Sequence, residues 1–338
     1  MKKIWGIRVS TSKKLGMGHL VRSLELAYEL KNVILYIDPD TKNIVSNYFP
    51  NSLIEEKNIS SSDKAIADLK KGIVIGLIFD NYKIPKNRIE DACSFGCVAV
   101  IDDFFNYWKK PIVIISSLSE SVNDKIPRER LIYGHNKIII PNVKSYQPNK
   151  NNDMKMEENS LLVQFGSIDN NNLTCRFLKS IISINTAISK ISIVLSDKAP
   201  HKSMVLNLLD KFNNSKVLEV QSINELQNLY STHEVLFGSA GVSLLERIYL
   251  GFHSVILSQN ASQDANATAA ENLKLAKYIG RADLFTDEKL KKLILNYIQY
   301  EKNNYKKNLD TKLIDGKGAK RIVDKLLRMQ KNNTHVDI

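Results

Sequence analysis

The chain has 338 residues, 43% hydrophobic and 25% charged, with Lys plus Arg 48 against Asp plus Glu 36 for a formal net charge of +12; that composition excludes a disordered or collagen-like polymer. At ~150 residues per domain the length implies two domains, each able to bury its own core. Three cysteines (Cys93, Cys97 and Cys175) exclude a disulfide framework and fit a reducing compartment, and Cys93 and Cys97 lack the Cys or His partners of a zinc site.

Along the chain, short apolar runs alternate with amphipathic stretches, the pattern of an α/β protein with parallel sheets. The first half predicts strands at 4–10, 33–37, 73–79, 97–101, 113–115 and 131–133. Its clearest helix, 19–30, keeps Leu20, Leu24, Ala27 and Leu30 at helical spacing. The very polar stretch 148–160, PNKNNDMKMEENS, interrupts the pattern and suits a linker. Alternation then resumes, with strands at 161–165, 191–195, 217–220, 235–237 and 254–257 and helices at 173–184, 203–212, 223–230, 242–250 and 265–276. Residues 287–330 close the chain as a Lys-rich helical region. The expected organisation is an N-terminal Rossmann-like domain over 1–146, a linker over 147–160, a C-terminal Rossmann-like domain over 161–316, and a closing helix with a basic tail over 317–338. Two such α/β halves are expected to face a cleft, with ligands beyond the carboxyl ends of the strands.

No apolar run approaches the ~18–20 residues that cross a bilayer, and the start Met1-Lys2-Lys3 precedes too interrupted an apolar stretch for a signal peptide. A cytoplasmic protein without membrane insertion, taken as a monomer, is expected. The charge admits nucleic acid, an anionic membrane surface or an anionic small substrate. From Glu301 onward ten Lys or Arg face five Asp or Glu, so much of the excess lies on a solvated terminal face. No interleaved aromatic–basic module supports nucleic acid.

Several strand-to-helix loops carry candidate chemistry. The first, 11–22, holds Gly16, Gly18, His19 and Arg22. It lacks the third glycine of a dinucleotide fingerprint and the Lys-Ser/Thr of a P-loop. The positive end of the helix dipole favours a neutral His19 ring, which can accept a proton as a general base must; a histidine there also serves as a simple helix cap. The second, Phe237–Glu246, places Ser239, Gly241 and Ser243 at a helix start, where free N–H groups suit phosphate. Glu246, about one turn on, can take two ribose hydroxyls. Gly166-Ser167 is a turn that reaches a phosphate or merely joins strand to helix. Tyr82, in Phe79-Asp80-Asn81-Tyr82, ends a buried strand and either faces a sugar or packs on the strand end. Asp102-Asp103 suggests metal or acid–base work, or a capped turn, and the capped turn is favoured. The stretch 258–264, SQNASQD, offers sugar-binding amides or caps a helix, and the cap is again favoured.

Taken together, GMGHLVRSLELA, FDNY, VIDDF, LLVQFGSID, FGSAGVSLLERIYLGF, ILSQN and IDGKGAKRIVDKLL fall in a family order. The sequence resembles the UDP-sugar hydrolases of pseudaminic acid (nonulosonate) biosynthesis and the related spore-coat polysaccharide proteins, from Arg8 to about Leu327. The resemblance implies the two-domain glycosyltransferase-B fold. It also implies attack of water at C1 of a UDP-2,4-diacetamido-2,4,6-trideoxyhexose, releasing UDP and the free sugar without metal or other cofactor. His19 then matches the general base, Tyr82 and Asn260 the sugar-side or water-positioning residues, and Gly241, Ser243 and Glu246 the UDP pocket. A glycosyltransferase of the same fold, using a UDP-amino-sugar donor, is the alternative. Three departures bear on substrate identity: Arg8-Val9-Ser10 replaces an Arg-x-Asp, Asn260-Ala261 replaces an Asn-Gln pair, and Gly166-Ser167 replaces a Gly-Gly turn.

Overall fold

The computed structural model describes residues 4–10, 18–38, 59–80, 84–141, 156–219, 223–301 and 313–333. The chain divides into two compact units, Met1–Pro141 together with Leu313–Ile338, and Asn142–Lys312.

In the first unit the order is β1 (Trp5–Val9), α1 (Gly18–Leu30), β2 (Val33–Ile37), β3 (Ile59–Ser61), α2 (Ala65–Lys70), β4 (Gly76–Asp80), α3 (Lys86–Ala92), β5 (Cys97–Ile101), β6 (Ile112–Ile114) and β7 (Leu131–Ile132). The seven strands form a sheet ordered β3-β2-β1-β4-β5-β6-β7, every pairing parallel. Strand order reverses direction between β1 and β4, so the crevice at their carboxyl ends is the topological switch point of a doubly wound fold. Alternate strand residues feed two cores. Ile7, Val9, Ile78 and Ile101 pack with Leu20, Leu24 and Ala27 of α1; Leu77, Phe79, Val98 and Val100 pack on the other side with Ile89 and Ala92.

The closing helix, Gly318–Asn333, belongs to this first unit. Its Ala319, Ile322, Val323 and Leu326 follow an i, i+3, i+4, i+7 stripe and bury against the core that α1 covers. It is thus a structural part of the first half, where the sequence suggested a separate terminal segment.

The second unit runs β8 (Glu157–Gln164), α4 (Leu173–Ile181), β9 (Lys190–Val194), α5 (Lys202–Leu209), β10 (Ser215–Leu218), α6 (Ile223–Thr232), β11 (His233–Ser239), α7 (Val242–Tyr249), β12 (Val255–Ser258), α8 (Ala261–Asn272), β13 (Lys277–Arg281) and α9 (Asp287–Asn296). Its six-stranded sheet, ordered β10-β9-β8-β11-β12-β13, is again wholly parallel. Here β8 starts at Glu157, inside the stretch expected as linker, because Glu157 and Ser160 pair with β11 and β9. Likewise α8 starts at Ala261, four residues before the expected 265, because Asn260 caps it. Among the described residues no helix is long and apolar enough to cross a membrane.

Candidate functional site

The first loop delivers a compact ionic cluster. Gly18 opens α1, which places His19 and Arg22 in the first turns of the helix, at the switch point. Asp80 ends β4 on the same side of the sheet as Ile78, pointing to α1, and is fully buried. His19 Nδ1 lies 2.6 Å from Asp80 Oδ1. Arg22 donates through Nε (2.7 Å) and Nη2 (2.6 Å) to the two oxygens of Asp80, and through Nη1 (2.8 Å) and Nη2 (2.7 Å) to Asp103. The Ser23 hydroxyl adds a bond of 3.1 Å to Asp80. Planar, bidentate pairing on both edges explains why Arg and not Lys sits here.

Burial pushes the Asp80 and Asp103 carboxyls up, but the Arg22 guanidinium outweighs it and holds both below the ordinary carboxylate range. Asp80 is therefore an ionised acceptor. In the tautomer that gives this ionised acceptor a proton from Nδ1, 2.6 Å away and with Arg22 Nη2 3.1 Å from the same nitrogen, Nε2 is the lone-pair nitrogen. This is the geometry of a general base with an orienting carboxylate.

The neighbouring carboxylate has a different task. Both oxygens of Asp102 are taken by its own loop, through Phe104 N, Asn106 N, Asn106 Nδ2 and Trp108 Nε1. Asp102 thus builds a turn while Asp103 joins the cluster. Among the described residues no three His, Cys, Asp or Glu side chains gather as a metal-binding group. Arg8 finds its carboxylate in Asp38, at 3.1 Å. Ser10 donates its backbone N–H to Asp80 O at 3.0 Å, while its hydroxyl is buried without a hydrogen-bond partner. Gly16 and Tyr82 lie outside the described residues.

In the second unit, the Phe237–Glu246 segment runs from β11 into α7. Gly241 is the N-cap of α7, with extended backbone and no side-chain cap. The helix start therefore presents N–H groups that an anion can take. Ser239 is buried and Ser243 half-buried. Arg247, buried to 1% exposure, locks the loop from beneath. Its Nη2 donates to Ser239 O (3.0 Å), Nη1 to Gln164 Oε1 (3.2 Å) and Nε to Ser254 Oγ (3.1 Å). The guanidinium lies flat on Gly238, where any Cβ would meet it at 2.6–2.7 Å. Burial pushes the half-buried Glu246 carboxyl up to about 7, with the Arg247 charge opposing only in part.

Two further loops meet at the same edge of this sheet. Gly166 adopts φ +106, which glycine alone takes easily, and Ser167 O accepts Ser196 N at 2.8 Å. Gln259 Nε2 donates to Phe165 O, tying that turn to the 258–264 loop. Asn260 caps α8, its side chain accepting from Gln263 N at 3.3 Å. Gln263 accepts from Gln259 N through Oε1 (3.0 Å), and its Nε2 lies 3.7 Å from where a Cβ on Gly241 would stand. Gly166, Ser167, Asn260 and Gly241 thus sit on loops of the second unit, with Ser243 and Glu246 in the helix α7 that Gly241 opens, and Gly18, His19 and Arg22 sit in the first unit. The sequence raised Asp102-Asp103 for acid–base work but favoured a capped turn, placed Asp80 only beside Tyr82, and did not single out Arg247. The readable hint was a charge in an otherwise apolar register, Asp80 closing Gly76–Phe79 and Arg247 between Leu244 and Ile248.

No protein-family model matches the chain. Among curated proteins it is 25% identical over 270 residues to the uncharacterized protein MJ1062 of Methanocaldococcus jannaschii, covering 75% of this chain and 55% of that protein, about half its length. It is 21% identical over 295 residues to the spore coat polysaccharide biosynthesis protein SpsG of Bacillus subtilis, covering 84% and 86%. Among solved structures, Staphylococcus aureus MnaA with UDP superposes at TM-score 0.60 and 12% identity, over 96% of this chain and 95% of that one. The Methanocaldococcus jannaschii UDP-GlcNAc 2-epimerase with UDP-GlcNAc and UDP gives 0.54 and 14%, over 96% and 99%. The glycotransferase of kitacinnamycin gives 0.57 and 14%, over 98% and 100%. These likenesses establish the fold, an α/β pair of Rossmann-like units of the glycosyltransferase-B type.

Proposed function

We propose that the chain is a UDP-sugar enzyme of glycan biosynthesis that moves the glycosyl group from UDP to a hydroxyl nucleophile. The observation that carries this reading is the His19–Asp80–Arg22–Asp103 cluster. It draws together segments 61 and 81 residues apart in the chain around one ring nitrogen able to accept a proton. Structural neighbours bearing UDP and UDP-GlcNAc support the nucleotide, and a spore coat polysaccharide biosynthesis relative supports the pathway class.

In this reading His19 Nε2 takes the proton of the attacking hydroxyl as it approaches C1. Asp80 and Arg22 hold the ring's orientation, and the cation formed on the imidazole is balanced by the carboxylate at Nδ1. Within the second unit, the uncapped N–H groups at Val242 and Ser243 suit the negative charge of a UDP group. Glu246 takes ribose hydroxyls. Tyr82 and Asn260 keep the sugar-side assignments that the family resemblance implies.

Two nucleophiles compete. Glycosyl transfer to a sugar or lipid hydroxyl agrees with the glycotransferase neighbour. Hydrolysis agrees with the resemblance carried by Gly18, His19 and Arg22. The deciding experiment incubates the protein with UDP-2,4-diacetamido sugars and UDP-GlcNAc in the absence of acceptor and follows the anomeric proton by NMR. Stoichiometric UDP and free sugar establish the hydrolase. Turnover only with an added acceptor establishes the transferase. A UDP-sugar altered at C2 with its C1–O bond intact would overturn both.

A further inference from the structure

Among the described residues three arginines are buried: Arg8, Arg22 and Arg247. A buried charge is ordinarily paired, and two of them are, Arg8 with Asp38 and Arg22 with Asp80 and Asp103. Arg247, the most deeply buried, donates only to neutral acceptors: the Ser239 carbonyl, the Gln164 amide oxygen and the Ser254 hydroxyl. Tyr230 donates to the same Gln164 oxygen at 2.7 Å and is itself fully buried. The adjacent Glu246 acts on the guanidinium only through space, and burial pushes that carboxyl up to about 7, so near neutral pH it carries part of a charge. Burial also pushes the Arg247 guanidinium down from its ordinary value, yet a group that starts so high stays charged at neutral pH. Helix side chains lean toward the N-terminus. From the second turn of α7 this one reaches back to Ser239 O, two residues before the Gly241 N-cap. Gly238, which has no Cβ, leaves it the room. The second unit thus keeps a cation without a carboxylate partner beneath the turn that leads into the Val242 and Ser243 N–H groups.

We propose that Arg247 is the positioning residue that makes this helix start selective for a diphosphate. It holds the Ser239–Gly241 turn and sets a positive charge behind it, acting through the turn and not by contact with the ligand. The helix start alone offers partial charges on its N–H groups; Arg247 adds a whole one, across a buried layer where charges attract more strongly than in water. The inference rests on the assignment of UDP to the second unit and adds to it the residue that separates a diphosphate from a neutral nucleoside. Every residue it invokes lies within that unit.

The test is titration of wild type, Arg247→Met and Arg247→Lys, with UDP by calorimetry and with uridine by displacement of UDP. In the methionine variant the ratio of UDP to uridine affinity is expected to fall about tenfold, with uridine affinity within about threefold of wild type. The lysine variant keeps the charge and gives up the planar fork, and is expected to hold the ratio within about threefold. A role confined to the fold would weaken both ligands together and leave the ratio unchanged. A second readout serves if the methionine variant folds poorly: the ¹⁵N–¹H resonance of Arg247 Nε, identified by its absence from the lysine variant, is expected to shift in wild type with UDP and not with uridine. An unchanged ratio in folded Arg247→Met, a folded lysine variant that loses the ratio as fully as methionine, or an Nε resonance that responds to UDP and uridine alike overturns the inference and leaves the UDP-sugar reading standing. Wild-type protein that binds no UDP overturns that reading and the inference with it.

Discussion

Replacing Asp80 with Asn keeps the shape of the side chain and inverts what it offers His19. The native carboxylate accepts from four donors: Arg22 Nε at 2.7 Å, Arg22 Nη2 at 2.6 Å, His19 Nδ1 at 2.6 Å and Ser23 Oγ at 3.1 Å. An amide has one acceptor and one donor edge. With the carbonyl kept by Arg22, the NH2 group faces Nδ1, so Nδ1 becomes the acceptor and the ring proton moves to Nε2. His19 is then present, correctly placed, and unable to accept a proton. A loss of about 10²–10⁴-fold in kcat is expected, the range spanned by removing general-base catalysis and by trapping the wrong tautomer. The fold is expected to survive, because Arg22 keeps its two bonds of 2.8 and 2.7 Å to Asp103 and the pair stays neutral. Losing the Nη2 bond at the Oδ1 position and weakening the remaining charge-assisted bonds to neutral ones costs about 2–4 kcal/mol in stability. The assay is UDP release from the preferred UDP-sugar, read with a urea melt and a UDP titration on the same protein. His19→Ala is expected to match the rate loss with UDP affinity intact, and the double variant to be no slower than either single one, because the two residues act as a unit. A folded Asp80→Asn protein that turns over within about threefold of wild type refutes the assignment of His19 as an Asp80-oriented base.

The second unit carries its own pH signature. Because the Glu246 carboxyl is raised from 4.5 to about 7 in the folded protein, the fold binds a proton that the unfolded chain releases, so stability is full below about 4.5 and declines as pH rises through about 7. The decline is at most about 3 kcal/mol, and denaturant melts of Glu246→Gln from pH 4 to 8 are expected to lose that component of the slope. Gly238→Ala drives a methyl group to 2.6 Å from the buried Arg247 guanidinium and is expected to cost about 1–3 kcal/mol in urea melts, with UDP affinity falling because the Ser239 turn shifts. Ile322→Ala removes a fully buried side chain of the closing helix and is expected to cost about 2–5 kcal/mol. It should also slow turnover, since the cavity lies in the core that α1 covers; wild-type stability by calorimetry would remove that helix from the load on α1.

What the sequence disclosed follows from range. Strands whose residues are apolar throughout were legible to the residue, as at Val33–Ile37 and Cys97–Ile101. Two edge strands, β3 and β13, were not: Ile59–Ser61 and Lys277–Arg281 are only half-buried, so no apolar run marks them. The stripe Ala319, Ile322, Val323 and Leu326 announced a buried helix face, but periodicity does not say against which half it packs. His19 and Arg22 were visible because a glycine-flanked strand-to-helix loop is a local pattern. Their partners Asp80 and Asp103 lie 58 and 81 residues beyond Arg22, and only the sheet order β1-β4-β5 makes them neighbours. Asp102 and Asp103 were indistinguishable as letters; the pleat sends them to opposite sides, one into a turn and one to Arg22.

The return of the closing helix to the first unit has a consequence for how the protein is made. The core over α1 includes Ala319 and Leu326 as well as Leu20 and Leu24. A ribosome therefore delivers the helix that carries His19 roughly 300 residues before the surface that completes its burial. For that interval one flank of the first core stays bare, while the whole of Asn142–Lys312, an unbroken stretch of chain, has what it needs to condense. The unit synthesised first is then the one finished last, so its assembly is governed by a long-range contact. Pulse-labelled hydrogen exchange on refolding protein is expected to protect amides of β8, β11 and β12 ahead of those in α1.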